Sequence, residues 1–122
     1  MNEILTQEKS IYLQISEMIE NDILRDILLE EERAPSTNEL AAIYAINPAT
    51  AAKGINLLVD QGILYKKRGI GMFVATGAKD KIKQKRKDEF YERYFKTMME
   101  EASSLGITDQ ELIQMIQNKN DI

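Results

Sequence analysis

Apolar side chains recur at a regular spacing near the start of the chain. One segment carries isoleucine at every fourth position, at Ile11, Ile15, Ile19 and Ile23. Most polar residues of this segment lie off that stripe, which is the pattern of an amphipathic helix with one face in a core. The spacing therefore predicts a helix from about Ser10 to Leu24. The residues after it, up to Ala34, are acidic and precede a proline, so they predict a connection.

Two shorter helices and a β-hairpin are predicted after Pro35. Ser36 is a suitable N-cap, and Glu39 three residues later completes the spacing of a capping box. Asn47 and Pro48 begin the next helix, because proline at the first helical position has no N–H that the helix needs. Strand-like runs at 63–66 and 72–75 flank the glycine-containing segment 67–71, which favours a tight hairpin. Three helices followed by a hairpin are typical of a winged helix-turn-helix.

A wide apolar stripe rich in aromatic residues follows the hairpin. Residues 77–122 are too few to bury it alone, so we expect the two C-terminal helices to pack against those of a second copy. The predicted dimer interface consists of Phe90, Tyr91, Tyr94, Phe95, Met98, Leu105, Leu112 and Ile116. Two alternatives remain open at this point: the stripe packs on its own N-terminal domain, or it forms a ligand groove at the dimer interface.

These elements predict a mainly α-helical fold with a small β-hairpin. A winged helix-turn-helix occupies residues 1–76, and a two-helix dimerisation appendage occupies residues 77–122. Cysteine and histidine are both absent, which excludes thiolate nucleophiles, histidine bases and the usual zinc ligands. The chain also lacks a glycine-rich phosphate loop. We therefore expect a protein that is not an enzyme and needs no cofactor or metal.

The sequence also predicts a cytoplasmic protein with no membrane partner. Its apolar runs are far shorter than the ~20 residues that span a bilayer. Residues 1–10 have neither the basic segment nor the apolar segment of a signal peptide.

The net charge of −4 is unevenly distributed along the chain. Residues 1–45 contain 10 acidic and 3 basic side chains, residues 46–96 contain 5 and 12, and residues 97–122 contain 5 and 1. Affinity for DNA depends on the cations that face phosphates rather than on the total charge. The basic middle segment is therefore compatible with DNA binding, although ordinary solvated surfaces have the same composition.

The second helix of a helix-turn-helix presents its N-terminal residues to base edges in the major groove. The hairpin supplies cations for phosphates and an arginine beside glycine for the minor groove. The candidate DNA contacts are Ser36, Asn47, Pro48, Ala49, Thr50, Lys53, Lys66, Lys67, Arg68 and Gly69. Asn47 is equally well explained as a plain helix cap. The hairpin cations have a solvated surface as their alternative, which their place directly after the helix-turn-helix disfavours.

Four ordered motifs resemble those of the GntR family of repressors. They are Ala-Pro-Ser-x-x-Glu-Leu-Ala at 34–41, Ile-Asn-Pro-x-Thr at 46–50, Asp-Gln-Gly-Ile-Leu at 60–64 and Arg-Gly-x-Gly-x-Phe-Val at 68–74. The Asn-Pro-x-Thr motif and the short helical C-terminal region are similar to the YtrA subfamily. The resemblance implies a homodimer on double-stranded operator DNA, and it implies control of an operon for a membrane transporter.

The chain departs from the family pattern at several positions. Asn38 and Ala52 stand where relatives frequently have arginine, and Ala49 stands where they frequently have asparagine. These replacements imply weaker or altered base readout. Gly54 stands at a usual alanine, a change that costs about 0.5–1 kcal/mol in a helix. Asp26 and Glu31 replace glycines of the usual connection.

Two function classes fit these features. The first is a sequence-specific transcription regulator, expected to be a repressor, that binds a palindromic operator as a homodimer. The second is a protein-interaction module that keeps the winged-helix scaffold without specific DNA binding. The missing arginines favour the second slightly, whereas the basic hairpin and Lys53 disfavour it. A steep fall of affinity with salt is expected only for the first. A small-molecule effector is not identified by the sequence.

Overall fold

The computed structural model describes residue 5 and residues 9–121 of the chain. These residues form two compact units that divide between Gln84 and Lys85. We call the first the winged-helix unit and the second the C-terminal unit. The sequence predicts a boundary after residue 76, whereas the units divide inside a helix, because Ala78 and Ile82 are buried in the core of the winged-helix unit.

The predicted fold class is confirmed. The winged-helix unit contains α1 (Ile11–Leu24), α2 (Thr37–Tyr44), α3 (Pro48–Asp60), β1 (Leu64–Lys67), β2 (Gly71–Val74) and the start of α4 (Ala78–Phe90). The two strands pair antiparallel, with Leu64 opposite Val74 and Lys67 opposite Gly71. The isoleucine stripe of α1 lies in the core, where Ile15 and Ile19 are fully buried together with Leu40 of α2 and Leu58 of α3.

Local side-chain hydrogen bonds begin α2 and α3 where the sequence predicts. The Ser36 hydroxyl accepts a hydrogen bond from the Glu39 backbone N–H at 3.0 Å, and the Glu39 carboxylate accepts one from the Ser36 N–H at 3.3 Å. The Asn47 side-chain oxygen accepts a hydrogen bond from the Ala49 N–H at 2.8 Å, and Pro48 is the first residue of α3. These caps satisfy N–H groups that a helix leaves unpaired at its first turn.

Gly54 allows α1 and α3 to pack unusually closely. A Cβ atom at this position would lie 2.7 Å from the Tyr12 carbonyl oxygen and 3.1 Å from Ile15. The buried Ser16 hydroxyl donates a hydrogen bond to the Gly54 carbonyl oxygen at 2.7 Å across the same crossing. The helix-propensity cost of this glycine is therefore offset by a close helix contact that alanine would obstruct.

The connection between α1 and α2 contains extended backbone that pairs with the hairpin. The Glu31 N–H donates to the Val74 carbonyl oxygen at 2.8 Å, and the Ala34 N–H donates to that of Met72 at 2.8 Å. Asp26 and Glu31 have φ angles of +59° and +68°. A left-handed backbone favours glycine. The backbone at both positions is therefore the conformation expected for the glycines of the family pattern.

The C-terminal unit is built from short helical segments. The end of α4 leads into a π-helical turn at Tyr91–Phe95, followed by α5 (Lys96–Ser104), α6 (Asp109–Gln117) and a 3₁₀ turn at Lys119–Asp121. Thr108 caps α6 in a second capping box with Glu111. The rings of Tyr91 and Phe95 stack with centroids 5.3 Å apart. This unit therefore has defined secondary structure over the stripe predicted to mediate dimerisation.

Candidate DNA-binding surface

The N-terminus of α3 lies on the surface of the winged-helix unit. Asn47, Pro48 and Ala49 are exposed, and Thr50 is half-buried. The Asn47 side-chain oxygen is already used by the cap, so its amide N–H group is what Asn47 can offer to a base or phosphate. The two interpretations of Asn47, a helix cap and a DNA contact, are therefore chemically compatible. The cap is observed, and the DNA contact stays a prediction.

An open hollow runs along the exposed side of α3, with a volume of about 500 Å³. Its lining comes from α1 and α3 and consists of Tyr12, Ala49, Ala52, Lys53, Asn56, Leu57 and Asp60. The two predicted contacts Ala49 and Lys53 thus share one surface. The Lys53 ammonium lies 4.1 Å from the centroid of the Tyr12 ring, within the range of a cation–π interaction.

Three polar residues of this hollow, Tyr12, Asn56 and Asp60, are missing from the predicted DNA contacts. Asn56 lies seven positions after Ala49 and four after Ala52, so helical spacing places all three on the same face. That spacing is the signal by which Asn56 could have been found. Tyr12 lies 41 positions before Lys53 in the sequence, and only the packing of α1 on α3 brings the two together.

The hairpin presents the predicted cations at its surface. Lys66, Lys67, Arg68 and Gly69 are exposed, and Gly69 has a φ angle of +78° with open space where a Cβ atom would point. The Lys67 ammonium lies 4.2 Å from the Phe73 ring centroid. The apolar side chain of Ile70 at the tip is 61% exposed. The sequence prediction for the hairpin includes only cations and a glycine, so it omits this residue.

Arg33 is a further cation beside the hairpin. It pairs through its backbone with Phe73, and its guanidinium Nη2 lies 4.0 Å from the Glu39 carboxylate. Its Nε atom lies 3.1 Å from the position that a Cβ at Gly71 would occupy. The sequence prediction missed Arg33 because it assigned this segment to a plain connection.

Acidic residues of the connection between α1 and α2 bind side chains at the base of the hairpin and at the start of α4. The Glu31 carboxylate accepts hydrogen bonds from the Tyr65 hydroxyl and from the Thr76 hydroxyl, the second at 2.8 Å. The Tyr65 bond, followed by the Thr76 bond, lowers the pKa of Glu31, and the same contact with Glu31 raises the pKa of Tyr65. The Lys79 ammonium contacts both carboxylate oxygens of Asp26 at 2.9 and 3.0 Å. These contacts hold the hairpin and the start of α4 against the connection.

Ser36 has a clear structural role. It is half-buried, and its hydroxyl oxygen accepts the capping hydrogen bond of α2. A contact between Ser36 and DNA stays a prediction.

The predicted dimer face of the C-terminal unit is largely exposed in the single chain. Seven of its members are at least 40% exposed, while Leu112 is half-buried. Phe90 packs on Tyr94 with ring centroids 5.8 Å apart. This unit therefore presents a contiguous set of aromatic side chains to its surroundings.

Within the described residues, none of the helices has the length and apolar character needed to cross a bilayer.

Comparison with known proteins places these features in a family. The family model for bacterial regulatory proteins of the gntR family matches residues 11–74. The uncharacterized HTH-type transcriptional regulator YhcF of Bacillus subtilis is 33% identical over 95% of this chain and 94% of its own length. The HTH-type transcriptional repressor YtrA of the same organism is 35% identical over 57% of this chain and 53% of its own length.

Solved structures have a similar fold. A crystal structure assigned to the GntR family from Bacteroides thetaiotaomicron has a TM-score of 0.80 and 37% identity, covering 91% of this chain and 96% of that one. The DNA-binding domain of AraR, crystallised in complex with operator ORX1, has a TM-score of 0.53 and 33% identity, covering 62% of this chain and 92% of that domain.

Proposed function

Because this chain belongs to the GntR family of bacterial regulatory proteins and is a DNA-binding transcription regulator rather than an enzyme, we propose that it represses transcription as a homodimer on a palindromic operator. One observation carries the DNA-binding part of this proposal: the exposed start of α3 and the basic hairpin lie on the same compact unit. The operator complex of the AraR domain supports it, since that domain is similar to this unit in sequence and fold.

In the proposed complex, α3 enters the major groove with its first turn nearest the bases. Ala49 and Ala52 offer methyl groups to thymine methyls, and Lys53 offers a cation to guanine or to a phosphate. Ala52 also makes the surface flatter than an arginine would, so base discrimination here depends on fewer hydrogen bonds.

The hairpin has a different task in the same complex. Lys66 and Lys67 neutralise phosphates, and Arg68 approaches the minor groove, where the potential of a narrow groove attracts arginine. The exposed Gly69 lets the backbone come close to the sugar edges. The contacts of Glu31 and Asp26 keep this hairpin in place before DNA arrives, which lowers the ordering cost of binding.

The homodimer is proposed from the exposed aromatic face of the C-terminal unit. Phe90, Tyr91, Tyr94, Phe95 and Met98 form a face that a second copy can cover around a two-fold axis, since a symmetric interface uses the same patch on both partners. Dimerisation sets the spacing of two α3 helices and therefore the spacing of operator half-sites.

The proposed target is an operon that encodes a membrane transporter. Its support is the resemblance of the Asn-Pro-x-Thr motif and the short C-terminal region to the YtrA subfamily, together with the similarity to the repressor YtrA.

An electrophoretic mobility shift tests the DNA-binding part of the proposal. The probe is a duplex from upstream of the chain's own gene, compared with a scrambled duplex at two salt concentrations. We expect a specific shift that weakens steeply with salt, because bound cations displace counterions from phosphates. Lys53→Ala and Arg68→Ala are each expected to weaken binding by about tenfold, within the range of a single base or groove contact.

Lys119→Ala provides the matched control, since it removes one positive charge from the C-terminal unit. It should leave the affinity within about twofold of the unmodified protein, a change below what one phosphate contact contributes. Unchanged affinity in both Lys53→Ala and Arg68→Ala, with folding verified by circular dichroism, would refute the assigned surface. The absence of any specific shift would favour the protein-interaction module instead.

A further inference from the structure

Tyr12 contacts the candidate DNA-binding surface although it lies on α1. Its side chain is half-buried between α1 and α3 and lines the hollow beside Ala49 and Ala52. The Lys53 ammonium lies 4.1 Å from its ring centroid, while Lys53 itself is exposed. The face of an aromatic ring attracts a cation electrostatically, most effectively where both are partly shielded from water.

The contact between Tyr12 and Lys53 depends on the close crossing of α1 and α3. Gly54 is the residue next to Lys53, and a Cβ there would lie 2.7 Å from the carbonyl oxygen of Tyr12 itself. The hydrogen bond from Ser16 to the Gly54 carbonyl oxygen holds the same two turns together. The missing side chain at residue 54 therefore permits the close crossing at which the Tyr12 ring lies 4.1 Å from the Lys53 ammonium.

An exposed lysine normally samples many rotamers, and holding it in one of them on binding costs conformational entropy. A lysine that is already held over a ring loses less of this freedom when it meets DNA. We propose that Tyr12 is a positioning residue for DNA recognition, which holds the Lys53 ammonium beside the start of α3 in the free protein. This inference rests on the proposed function, because it assigns Lys53 a role in binding DNA.

Two substitutions separate the ring from the rest of the side chain. Tyr12→Phe keeps the aromatic face and loses the hydroxyl, whereas Tyr12→Leu keeps apolar packing and loses the ring. In the free protein, NMR should show the Lys53 Hε resonance shifted upfield by the ring current in the unmodified protein and in Tyr12→Phe. The shift should disappear in Tyr12→Leu. This measurement needs no DNA, and a residue that only packs between helices would not affect it in this way.

Affinity is then measured on the upstream duplex and on the scrambled duplex. Tyr12→Leu should weaken specific binding about 2- to 5-fold, the size expected for one exposed cation–π contact. Tyr12→Phe should bind like the unmodified protein. In a double-mutant cycle, Tyr12→Leu in the Lys53→Ala background should change affinity by less than about twofold, because its effect acts through Lys53.

Several results would overturn the inference. Equal weakening by Tyr12→Phe and Tyr12→Leu would assign the effect to the hydroxyl, and full additivity with Lys53→Ala would assign it to packing. Tighter binding by Tyr12→Leu would mean that the ring competes with DNA for Lys53. If all Tyr12 variants bind the upstream duplex as tightly as the unmodified protein does, this inference alone is wrong. If the unmodified protein shows no specific binding, the proposed function is wrong as well. Circular dichroism and thermal unfolding of each variant verify that it is folded.

Discussion

The two units bury their apolar side chains to very different extents. In the winged-helix unit, Ile15, Ile19, Leu40 and Leu58 are fully buried, whereas the C-terminal unit leaves Tyr94 56% and Leu105 64% exposed. Short helices gain most of their stability from packing of an apolar face rather than from intrinsic propensity. The winged-helix unit therefore has its own core, whereas the C-terminal unit has an apolar face that is exposed in the single chain. The predictions below test that difference.

The largest effect is expected from a charge placed on the aromatic face. Tyr94→Asp should raise the dissociation constant of the proposed dimer by at least about a hundredfold, because two-fold symmetry would bury the new carboxylate twice without a partner. Analytical ultracentrifugation measures this directly. Ser103→Asp is the matched control, since it adds the same charge at an exposed polar position of α5. If Tyr94→Asp and Ser103→Asp associate alike, the aromatic face does not mediate dimerisation.

The same leucine-to-alanine change should have unequal effects in the two units. Leu40→Ala removes a fully buried side chain and should lower the free energy of unfolding by about 2–5 kcal/mol. Leu105→Ala removes a largely exposed one and should lower it by less than about 1 kcal/mol in the Tyr94→Asp background, where a dimer interface no longer contributes. Denaturant unfolding measures both. Equal losses would contradict the assignment of separate buried and exposed apolar faces.

Gly54→Ala should destabilise the winged-helix unit despite alanine's better helix propensity. The added Cβ would meet the Tyr12 carbonyl oxygen at 2.7 Å, so α1 and α3 must separate, at a cost of about 1–3 kcal/mol. Ala52→Gly is a useful counterpart in the same helix, since it should cost only the propensity difference of about 1 kcal/mol. Thermal unfolding compares them. A Gly54→Ala protein that is more stable than the parent would show that the crossing relaxes without cost.

The smallest effect is expected from the acid titration of the hairpin base. The pKa of Glu31 is lowered in the folded state from the ordinary value of 4.5, chiefly by the Tyr65 hydroxyl. A lowered pKa means that the contribution of this carboxylate to stability is fully present above about pH 4.5 and is lost as pH falls through the folded-state pKa. Glu31→Gln should therefore show a shallower loss of melting temperature on acidification below that pH.

The alkaline side of the same experiment tests an ion pair of the C-terminal unit. Glu92 raises the pKa of Lys96 in the C-terminal unit, and a raised lysine pKa contributes stability below about pH 10.5 that is lost as pH rises through the folded-state value. Glu92→Gln should remove the part of the alkaline dependence that comes from Lys96, whereas the part that comes from the raised pKa of Tyr65 should remain. Identical acid profiles for the parent protein and Glu31→Gln would exclude Glu31 as a contributor.

Much of the fold follows from signals that are local in sequence. The capping box at Ser36 and the Asn47-Pro48 pair predict where α2 and α3 begin, because the groups that cap a helix lie within four residues of each other. The isoleucine spacing of α1 predicts its buried face for the same reason. The candidate DNA contacts on α3 and the hairpin also follow from such local patterns.

Contacts between distant residues were decided only by the tertiary structure. Tyr12 contacts Lys53, and Glu31 accepts hydrogen bonds from Tyr65 and Thr76. The missing side chain of Gly54 leaves room for the backbone of α1. These contacts depend on how closely helices cross and on which backbone groups remain to be paired, and neither quantity is encoded in the spacing of neighbouring residues. Helix periodicity and caps are properties of one segment, whereas the contact between a ring and a cation 41 positions away in the sequence depends on how α1 packs on α3.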